Sequence, residues 1–341
     1  MKYDVTIGIP VYNADPYIRK TIESALSQAY PSIEFLIVDD GSSDQSIDII
    51  NDLCASHPRK EDIRILTHSQ NMGVSASRNQ IIDEAQGDYL YFLDADDLIE
   101  YNAISLMMQT IRQYNAEIVF GSYEKIELSG ERTQYQYPSL QLMGEDKLAS
   151  FAFRKYAGIQ ASACNYLVNI SLLRDAGIRF VDTNYWEDMV FTYQLVTMIS
   201  RAVLLPDITY YYCCRENSLS QYQERYIIGK DEILRNVRAI DYLKAYSSKL
   251  HNRTFFPNWC YNLVMTDFYV VCTVLKRRND IFPPISNSEV SSFMSHPATF
   301  CQICSFQTSR TKNMALYIIG KIPPSICINL IKMLDKFRKL T

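Results

Sequence analysis

The sequence contains no run of about 18 consecutive apolar residues, which a membrane-spanning helix requires. It shows no secretory signal at its N-terminus, so we expect a cytoplasmic protein whose thiols are reduced. Cys301 and Cys304 have the C-x-x-C spacing, but no second such pair and no pair of histidines follows them. The cysteine pattern therefore argues against a zinc site.

The sequence also lacks an excess of basic residues, an internal repeat and a long low-complexity linker. The net charge of −4 gives no general reason to expect nucleic acid as a partner. The apolar share of 48% and the charged share of 21% are ordinary for a soluble globular protein. A chain of 341 residues is long enough for one large domain with an additional element, or for two domains.

Strand and helix patterns alternate over the first 130 residues. Short apolar segments predict buried strands at 5–9, 35–38, 63–67 and 89–93. The segments between them have helical spacing, and Asp15 with Pro16 predicts the start of the first helix. This alternation predicts an α/β fold with a mainly parallel sheet that is flanked by helices.

Polar residues follow three of these strands, where ligands of such sheets bind. They are Tyr12 and Asn13, Asp39 and Asp40, and Asp94, Asp96 and Asp97. Alternation along the last strand predicts that Asp94 and Asp96 lie on one face. Like charges this close repel, so we expect a basic side chain or a metal ion beside them. Two carboxylates can hold a hard divalent cation, with diphosphate oxygens and water as its other ligands.

The remainder of the chain divides by pattern. We predict a domain at 1–222, with a nucleotide-binding half at 1–100 and an acceptor half at 101–222. A mostly helical region at 223–341 follows, and its role is open between ordering an acceptor, binding membrane and forming a homodimer.

The C-terminal tail, residues 310–341, has seven basic residues and one acidic residue. One helical face holds apolar residues and another holds lysines, which favours contact with an anionic membrane surface. The apolar face consists of Ile326, Leu330, Leu334 and Phe337. The alternative is a terminal helix that packs on its own domain with its lysines in water.

Five short segments occur together in one order: IPVYN at 9–13, IVDDGSSD at 37–44, NMGVSASRN at 71–79, FLDADD at 92–97 and WED at 186–188. This set resembles the inverting family 2 glycosyltransferases of GT-A fold, over about residues 3–220. The segment YYYCCRENSLS at 210–220 resembles bacterial members that build capsules, O-antigens and other surface polysaccharides.

The resemblance implies contacts with a nucleotide sugar. Pro10 and Tyr12 would line the base, and Asp40 would accept a hydrogen bond from its imide, which favours uracil or thymine. Arg78 would lie near the base or the diphosphate. The alternative for Arg78 is a structural ion pair with the acidic cluster.

The same resemblance assigns the chemistry. Asp94 would bond the ribose of the donor or assist the metal, and Ala95 would contact the donor. Asp96 would bind a divalent metal (Mn²⁺ or Mg²⁺), and Asp97 could take over part of either role. Asp188 would be the general base, unless Glu187 takes its place. Arg215 would meet the diphosphate, perhaps with Ser218, unless it is an ordinary surface arginine.

Other polar residues favour structural roles. We expect Asp39 and Asp44 to form turns or caps, and Asn79 and Asn165 to bond the backbone. We expect His57 and His68 to be exposed, because they lack the partners of a metal site. Two departures from relatives, at Tyr166 with Val168 and at Cys213 with Cys214, are expected to face the acceptor or the sugar.

The resulting hypothesis is a metal-dependent inverting glycosyltransferase of hexosyltransferase type. Its donor would be a nucleotide sugar, with a UDP-sugar favoured, and its acceptor a glycan or polyprenyl-linked glycan at the inner face of the cytoplasmic membrane. One alternative is a catalytically inactive nucleotide-sugar-binding partner of a glycan assembly complex. Another is a nucleotidyltransferase, but residues 10–13 do not form its usual glycine-rich, basic phosphate loop. The donor sugar, the acceptor and the linkage are not predicted.

Overall fold

The computed structural model describes residues 2–154, 158–183, 186–215 and 228–338, with side chains to residue 336. It divides into two compact units. The first comprises residues 1–148 and 161–218, and the second comprises 149–160 and 219–341. The predicted boundary between 222 and 223 lies outside the described residues and stays a prediction.

The first unit begins with four parallel strands in the order β3-β2-β1-β4. The strands are β1 (Tyr3–Val11), β2 (Ile33–Asp39), β3 (Ile63–Thr67) and β4 (Gly87–Phe92). The helices between them are α1 (Ile18–Leu26), α2 (Ser46–Ala55) and α3 (Val74–Glu84). Every residue of β2 is buried, which explains its continuous apolar run. All four strands occur where the apolar segments predicted them.

Antiparallel pairs enter the second half of this sheet. β9 (Tyr166–Asn169) runs antiparallel between β4 and β6 (Ile118–Ile126), and β10 (Arg201–Cys213) runs parallel to β6. The shorter strands β5 (Leu98–Ile99), β7 (Arg132–Tyr135) and β8 (Leu140–Met143) pair antiparallel with them. The helices are α4 (Ala103–Tyr114), α6 (Ile170–Asp175) and α7 (Glu187–Val196). The α/β class is confirmed, and the parallel character belongs chiefly to the first half.

Two local predictions were wrong. The first helix begins at Ile18 and not at Asp15, because the chain first turns on Ala14, whose carbonyl accepts from the amides of Tyr17 and Ile18. The strand before the acidic cluster ends at Phe92, so Asp94 and Asp96 lie in a turn. Strand alternation therefore does not determine which way their side chains point.

The second unit is mostly helical, as predicted. It contains part of α5 (Lys147–Arg154), then β11 (Ile228–Gly229), α8 (Lys230–Tyr246), α9 (Phe256–Lys276), β12 (Ile281–Phe282), α10 (Asn287–Ser292), α11 (Phe300–Ser305), α12 (Arg310–Ile319) and α13 (Pro324–Arg338). Buried apolar side chains of α8, α9, α10, α12 and α13 form one core cluster. Within the described part of the chain, no helix is long and apolar enough to cross a membrane.

Candidate active site

The site begins where β1 and β2 end side by side. Pro10 is buried in β1 opposite Val38 of β2, and Tyr12 is 48% exposed just beyond the strand. The Asp40 amide donates to the Val11 carbonyl at 2.8 Å. Tyr12 and Asp40 therefore lie beside each other in the fold, although 28 positions separate them in the sequence.

The loops after these strands are tied together. Asp39 accepts from the Ser42 amide at 3.0 Å, and Asp44 accepts from the amides of Ser46 and Asp15 at 3.0 Å each. Asp39 and Asp44 are thus turn residues, one of the two structural roles predicted for them. Their hydrogen bonds hold the edge of the sheet in which Asp40 lies.

Asp40 is the most heavily bonded carboxylate of this edge. Its Oδ1 accepts from the Met72 amide at 2.8 Å and lies 2.6 Å from His68 Nδ1, and its Oδ2 accepts from the Gly73 amide at 2.7 Å. His68 also lies 2.6 Å from Gln80 Oε1, and its side chain is only 10% exposed. The prediction that His68 is exposed was therefore wrong. The sequence offered a signal for this contact, because His68 directly follows β3 and Asp40 directly follows the neighbouring strand β2.

The acidic cluster forms a turn rather than a strand end. The Asp97 amide donates to the Asp94 carbonyl at 3.1 Å, and the Thr21 hydroxyl donates to the Ala95 carbonyl at 3.0 Å. Asp97 is buried, and its carboxylate accepts from the Tyr210 hydroxyl at 2.6 Å and the Cys213 amide at 2.7 Å. Asp97 therefore anchors the turn to β10, and this leaves Asp94 and Asp96 as the carboxylates that face outward.

Arg78 joins three carboxylates. From α3, its Nη2 donates to Asp94 at 2.8 Å, and its Nη1 donates to Asp188 at 2.5 Å and Glu187 at 3.1 Å. The guanidinium is buried and packs over the Phe180 ring at 5.2 Å. This geometry supports an ion-pair role for Arg78, because its hydrogen bonds go to the site's own acids.

Asp188 occupies the first turn of α7, and its carboxylate is 25% exposed. Burial raises the pKa of Asp188 from its ordinary 3.8 to about 7, with further increases from the charges of Glu187 and Asp94, while Arg78 opposes the shift. A carboxylate with such a pKa can take up a proton near neutral pH. The Glu187 carboxylate accepts from the same nitrogen of Arg78, Nη1, but the Glu187 side chain is less exposed than that of Asp188.

Asp96 is paired with Arg215. The Nε atom of Arg215 lies 2.5 Å from Asp96 Oδ2, and its guanidinium also lies 5.8 Å from the Tyr17 ring centroid. Burial and the charge of Asp94 raise the pKa of Asp96, and Arg215 opposes that shift. Arg215 is thus part of the site rather than an ordinary surface arginine. Ser218 lies outside the described residues.

The donor chemistry of this edge fits a hard divalent cation. Asp94 and Asp96 offer carboxylate oxygens near each other, and the negative charge of Asp94 contributes to the raised pKa of Asp96. Within the described residues, no group of three or more acidic, histidine or cysteine side chains could hold a metal ion. Two carboxylates suit Mg²⁺ or Mn²⁺, which commonly take their remaining ligands from phosphate and water.

Comparison with known proteins shows which family part of the chain resembles. The family described as Glycosyl transferase family 2 matches residues 6–168. Residues 6–168 thus have the sequence features of a family 2 glycosyltransferase domain. An uncharacterized glycosyltransferase of Haemophilus influenzae is 36% identical over 128 residues, which are 38% of this chain and 50% of that protein. The chain thus spans half the length of that relative.

Comparison with solved structures confirms the predicted GT-A fold of this chain. Residues 1–349 of S. aureus TarS, crystallised with UDP-GlcNAc, have a TM-score of 0.57 at 17% identity, covering 93% of this chain and 90% of that one. The mannosyltransferase PcManGT from Pyrobaculum calidifontis, in complex with GDP-Man and Mn²⁺, has a TM-score of 0.54 at 13% identity. It covers 98% of this chain and 88% of that chain. At these identities the likeness concerns the fold alone.

The family 2 match ends before two of the site residues, Asp188 and Arg215. The structure nevertheless brings both beside the acidic turn. Tyr166 and Val168, expected near the acceptor, are buried in β9 instead. Asn79 and Asn165 bond backbone groups of Phe180 and Gly121, as predicted.

Proposed function

We propose that this protein is a metal-dependent inverting glycosyltransferase of hexosyltransferase type. It moves a sugar from a nucleotide sugar, with a UDP-sugar favoured, to a glycan or polyprenyl-linked glycan in capsule or O-antigen synthesis. The observation that carries the proposal is the bridge by Arg78, which holds Asp94 and Asp188 on one guanidinium. This bridge supports the proposal, because the acid assigned to the donor and the acid assigned as the base share one guanidinium.

Asp188 is the general base of the proposed step. An acceptor hydroxyl gives its proton to the Asp188 carboxylate while its oxygen attacks the anomeric carbon from the face opposite the diphosphate. The bond from that carbon to the diphosphate oxygen breaks, and the nucleoside diphosphate leaves with the electron pair. One displacement inverts the anomeric centre, so no covalent intermediate on the protein is needed.

The leaving group requires positive charge. A divalent cation held by Asp96, with help from Asp94, would neutralise the diphosphate. The guanidinium of Arg215 supplies a permanent positive charge at the same place, because it is paired with Asp96 and is partly exposed. On donor binding, we expect its guanidinium to be shared between Asp96 and a phosphate oxygen.

The nucleoside would lie at the edge formed by β1 and β2. Tyr12 is exposed there and offers a ring face for stacking, and Pro10 is buried in β1 two residues before it. Asp40 accepts hydrogen bonds at this edge and would select a base that carries an imide N–H. TarS was crystallised with UDP-GlcNAc and PcManGT with GDP-Man, which supports a nucleotide-sugar donor.

The tail supports a peripheral place at the inner face of the cytoplasmic membrane. α13 packs through Cys327, Ile328 and Ile331, while Ile326 is 56% exposed and Leu334 is exposed on its outer face.

The side chains around this apolar stripe, formed by Ile326 and Leu334, are mostly basic. Lys321, Lys332 and Lys336 are exposed, and the single acid, Asp335, is paired with Lys276 at 2.9 Å. Exposed apolar side chains among lysines match an anionic lipid surface.

The catalytic proposal is tested by transfer itself. Release of UDP from a panel of UDP-sugars, with Mn²⁺ and a polyprenyl-linked glycan fraction, should depend on both donor and acceptor. Asp188→Asn should abolish that release while UDP still binds. Binding of UDP without transfer, and no change in surface glycan with Asp188→Asn, would identify an inactive binding partner instead.

The membrane proposal has its own test. The protein should sediment with vesicles that contain phosphatidylglycerol and not with pure phosphatidylcholine vesicles. Ile326→Asp should reduce binding, whereas Ser325→Asp, which adds the same charge at a polar exposed position, should reduce it less. Equal binding of wild type and Ile326→Asp would contradict a role for the stripe.

A further inference from the structure

Asp40 has a nearly complete set of hydrogen bonds within the protein. A carboxylate has about four acceptor positions, two on each oxygen. Within the described structure, Oδ1 uses both of its positions, on the Met72 amide and on His68. Oδ2 uses one position, on the Gly73 amide at 2.7 Å. One acceptor position on Oδ2 remains.

His68 contacts Oδ1, the other oxygen of the Asp40 carboxylate. Because a carboxylate only accepts, the Nδ1 atom of His68 must carry the hydrogen that it shares with Oδ1. The other ring nitrogen lies 2.6 Å from Gln80 Oε1 on α3. The His68 amide also donates to the Asp39 carbonyl at 2.8 Å. Both the ring and the backbone of His68 are therefore fixed against the end of β2.

The surroundings leave little freedom for another arrangement. The Asp40 side chain is 4% exposed, so a ligand can reach it from a narrow direction only. Gly41, with φ +73°, packs so closely on the next loop that an added Cβ would lie 2.9 Å from the Gln70 carbonyl carbon. The loop that carries Met72 and Gly73 thus packs closely on Asp40, and His68 contacts the same carboxylate.

We propose that His68 is a positioning residue for nucleobase recognition, which orients Asp40 so that Oδ2 accepts from an imide N–H. The inference rests on the proposed function, since it assigns Asp40 to the base of the donor. Uracil has an N–H at its third ring position, whereas cytosine has a lone pair there. Correct placement of Oδ2 should therefore favour UDP over CDP.

Two substitutions of His68 test the contributions of its two ring nitrogens separately. In His68→Asn the amide nitrogen can take the place of Nδ1 and still donate to Asp40. In His68→Gln it takes the place of the other nitrogen, near Gln80, and the bond to Asp40 is lost. His251→Gln is the control for a histidine far along the chain, exposed and bonded only locally to the Ser248 carbonyl.

The experiment is calorimetric titration of each full-length variant with UDP and CDP in the presence of Mn²⁺. We expect the ratio of CDP to UDP dissociation constants to fall roughly tenfold in His68→Gln, which is the worth of one hydrogen bond to a charged group. His68→Asn should keep most of the ratio, and His251→Gln all of it. A purely structural role would weaken both nucleotides equally and leave the ratio unchanged.

The outcomes are distinguishable. If wild type binds no nucleotide, the proposed function fails before the inference is tested. If wild type prefers UDP and His68→Gln has the same preference, His68 does not orient Asp40 and the inference is overturned. If His68→Gln unfolds, Gln80→Leu, which removes the outer partner of the ring, should give a smaller fall in the same ratio, and an unchanged ratio would overturn the inference.

Discussion

Each unit contains a cluster of ion pairs around one buried basic side chain, and the two clusters differ in the exposure of their carboxylates. In the first unit, Arg78 is buried but its partners Asp94 and Asp188 are 30% and 25% exposed. In the second unit, Lys244 on α8 lies 2.6 Å from Asp267 on α9, and Asp267 is completely buried. The first cluster can exchange a partner for a substrate, and the second can only hold helices together.

The hydrogen bonds of the second cluster explain its closed character. Lys244 also donates to the Phe293 carbonyl at 2.8 Å and to the Ser295 hydroxyl at 2.9 Å. Burial raises the pKa of Asp267 to about 7, and Lys244 opposes the shift. Exposure of the carboxylates, rather than their pKa, therefore distinguishes the candidate active site from the structural pair.

The largest expected effect comes from the open cluster. Asp188→Asn should reduce the transfer rate by about 10²–10⁴-fold, because the amide cannot accept the proton. Initial rates of UDP release measure this, with circular dichroism as the check on folding. Glu187→Gln is the matched control and should cost less than about tenfold, since its carboxylate supports Arg78. The reverse order of effects would make Glu187 the base.

Breaking the closed cluster should affect stability and not donor binding. Lys244→Met leaves Asp267 buried without its cation, at a cost of roughly 3–5 kcal/mol in the free energy of unfolding. Urea denaturation of the second unit measures the change. Joint replacement as Lys244→Met with Asp267→Leu should recover most of that free energy, whereas an unchanged affinity for UDP is expected in both. Loss of UDP affinity would show that the pair of Lys244 and Asp267 affects donor binding as well as stability.

The smallest effect is the pH dependence. Because Asp188 acts in its ionised form and burial holds its pKa at about 7, the transfer rate should rise about tenfold per pH unit below 7 and level off above it. The folded pKa exceeds the unfolded value of 3.8, so the contribution of Asp188 to stability falls as pH rises from about 4 to 7.

Rate profiles of wild type and Glu187→Gln should both show this rise, and denaturation of Asp188→Asn should lack the matching fall in stability. A flat rate profile between pH 5.5 and 8 in wild type would contradict the role of Asp188 as base.

The sequence predicted the parts of this fold that are encoded locally. The bounds of β3 follow from a short segment of mostly apolar residues. The start of α1 was missed because the Ala14 carbonyl, and not Asp15, organises the turn.

The candidate site was predicted as a list of residues and not as an arrangement. The order of the five segments brought Asp94, Asp96 and Asp188 into one hypothesis. The partners of Arg78 on α7 lie 109 and 110 positions away, so no local pattern could assign them. The bond between His68 and Asp40 likewise depends on two neighbouring strands, and its geometry exists only in the folded sheet.

The measurement that tests the account most directly is nucleotide binding to wild type and Asp96→Ala. Calorimetric and thermal-shift titrations would use UDP, GDP, dTDP and CDP, each with and without Mn²⁺, since a ligand that binds only the folded state raises its stability. We predict that UDP binds wild type in a Mn²⁺-dependent manner and that Asp96→Ala loses this affinity. If no nucleotide binds in any condition, or if Asp96→Ala binds UDP and Mn²⁺ as wild type does, the acidic turn is structural and the account is contradicted.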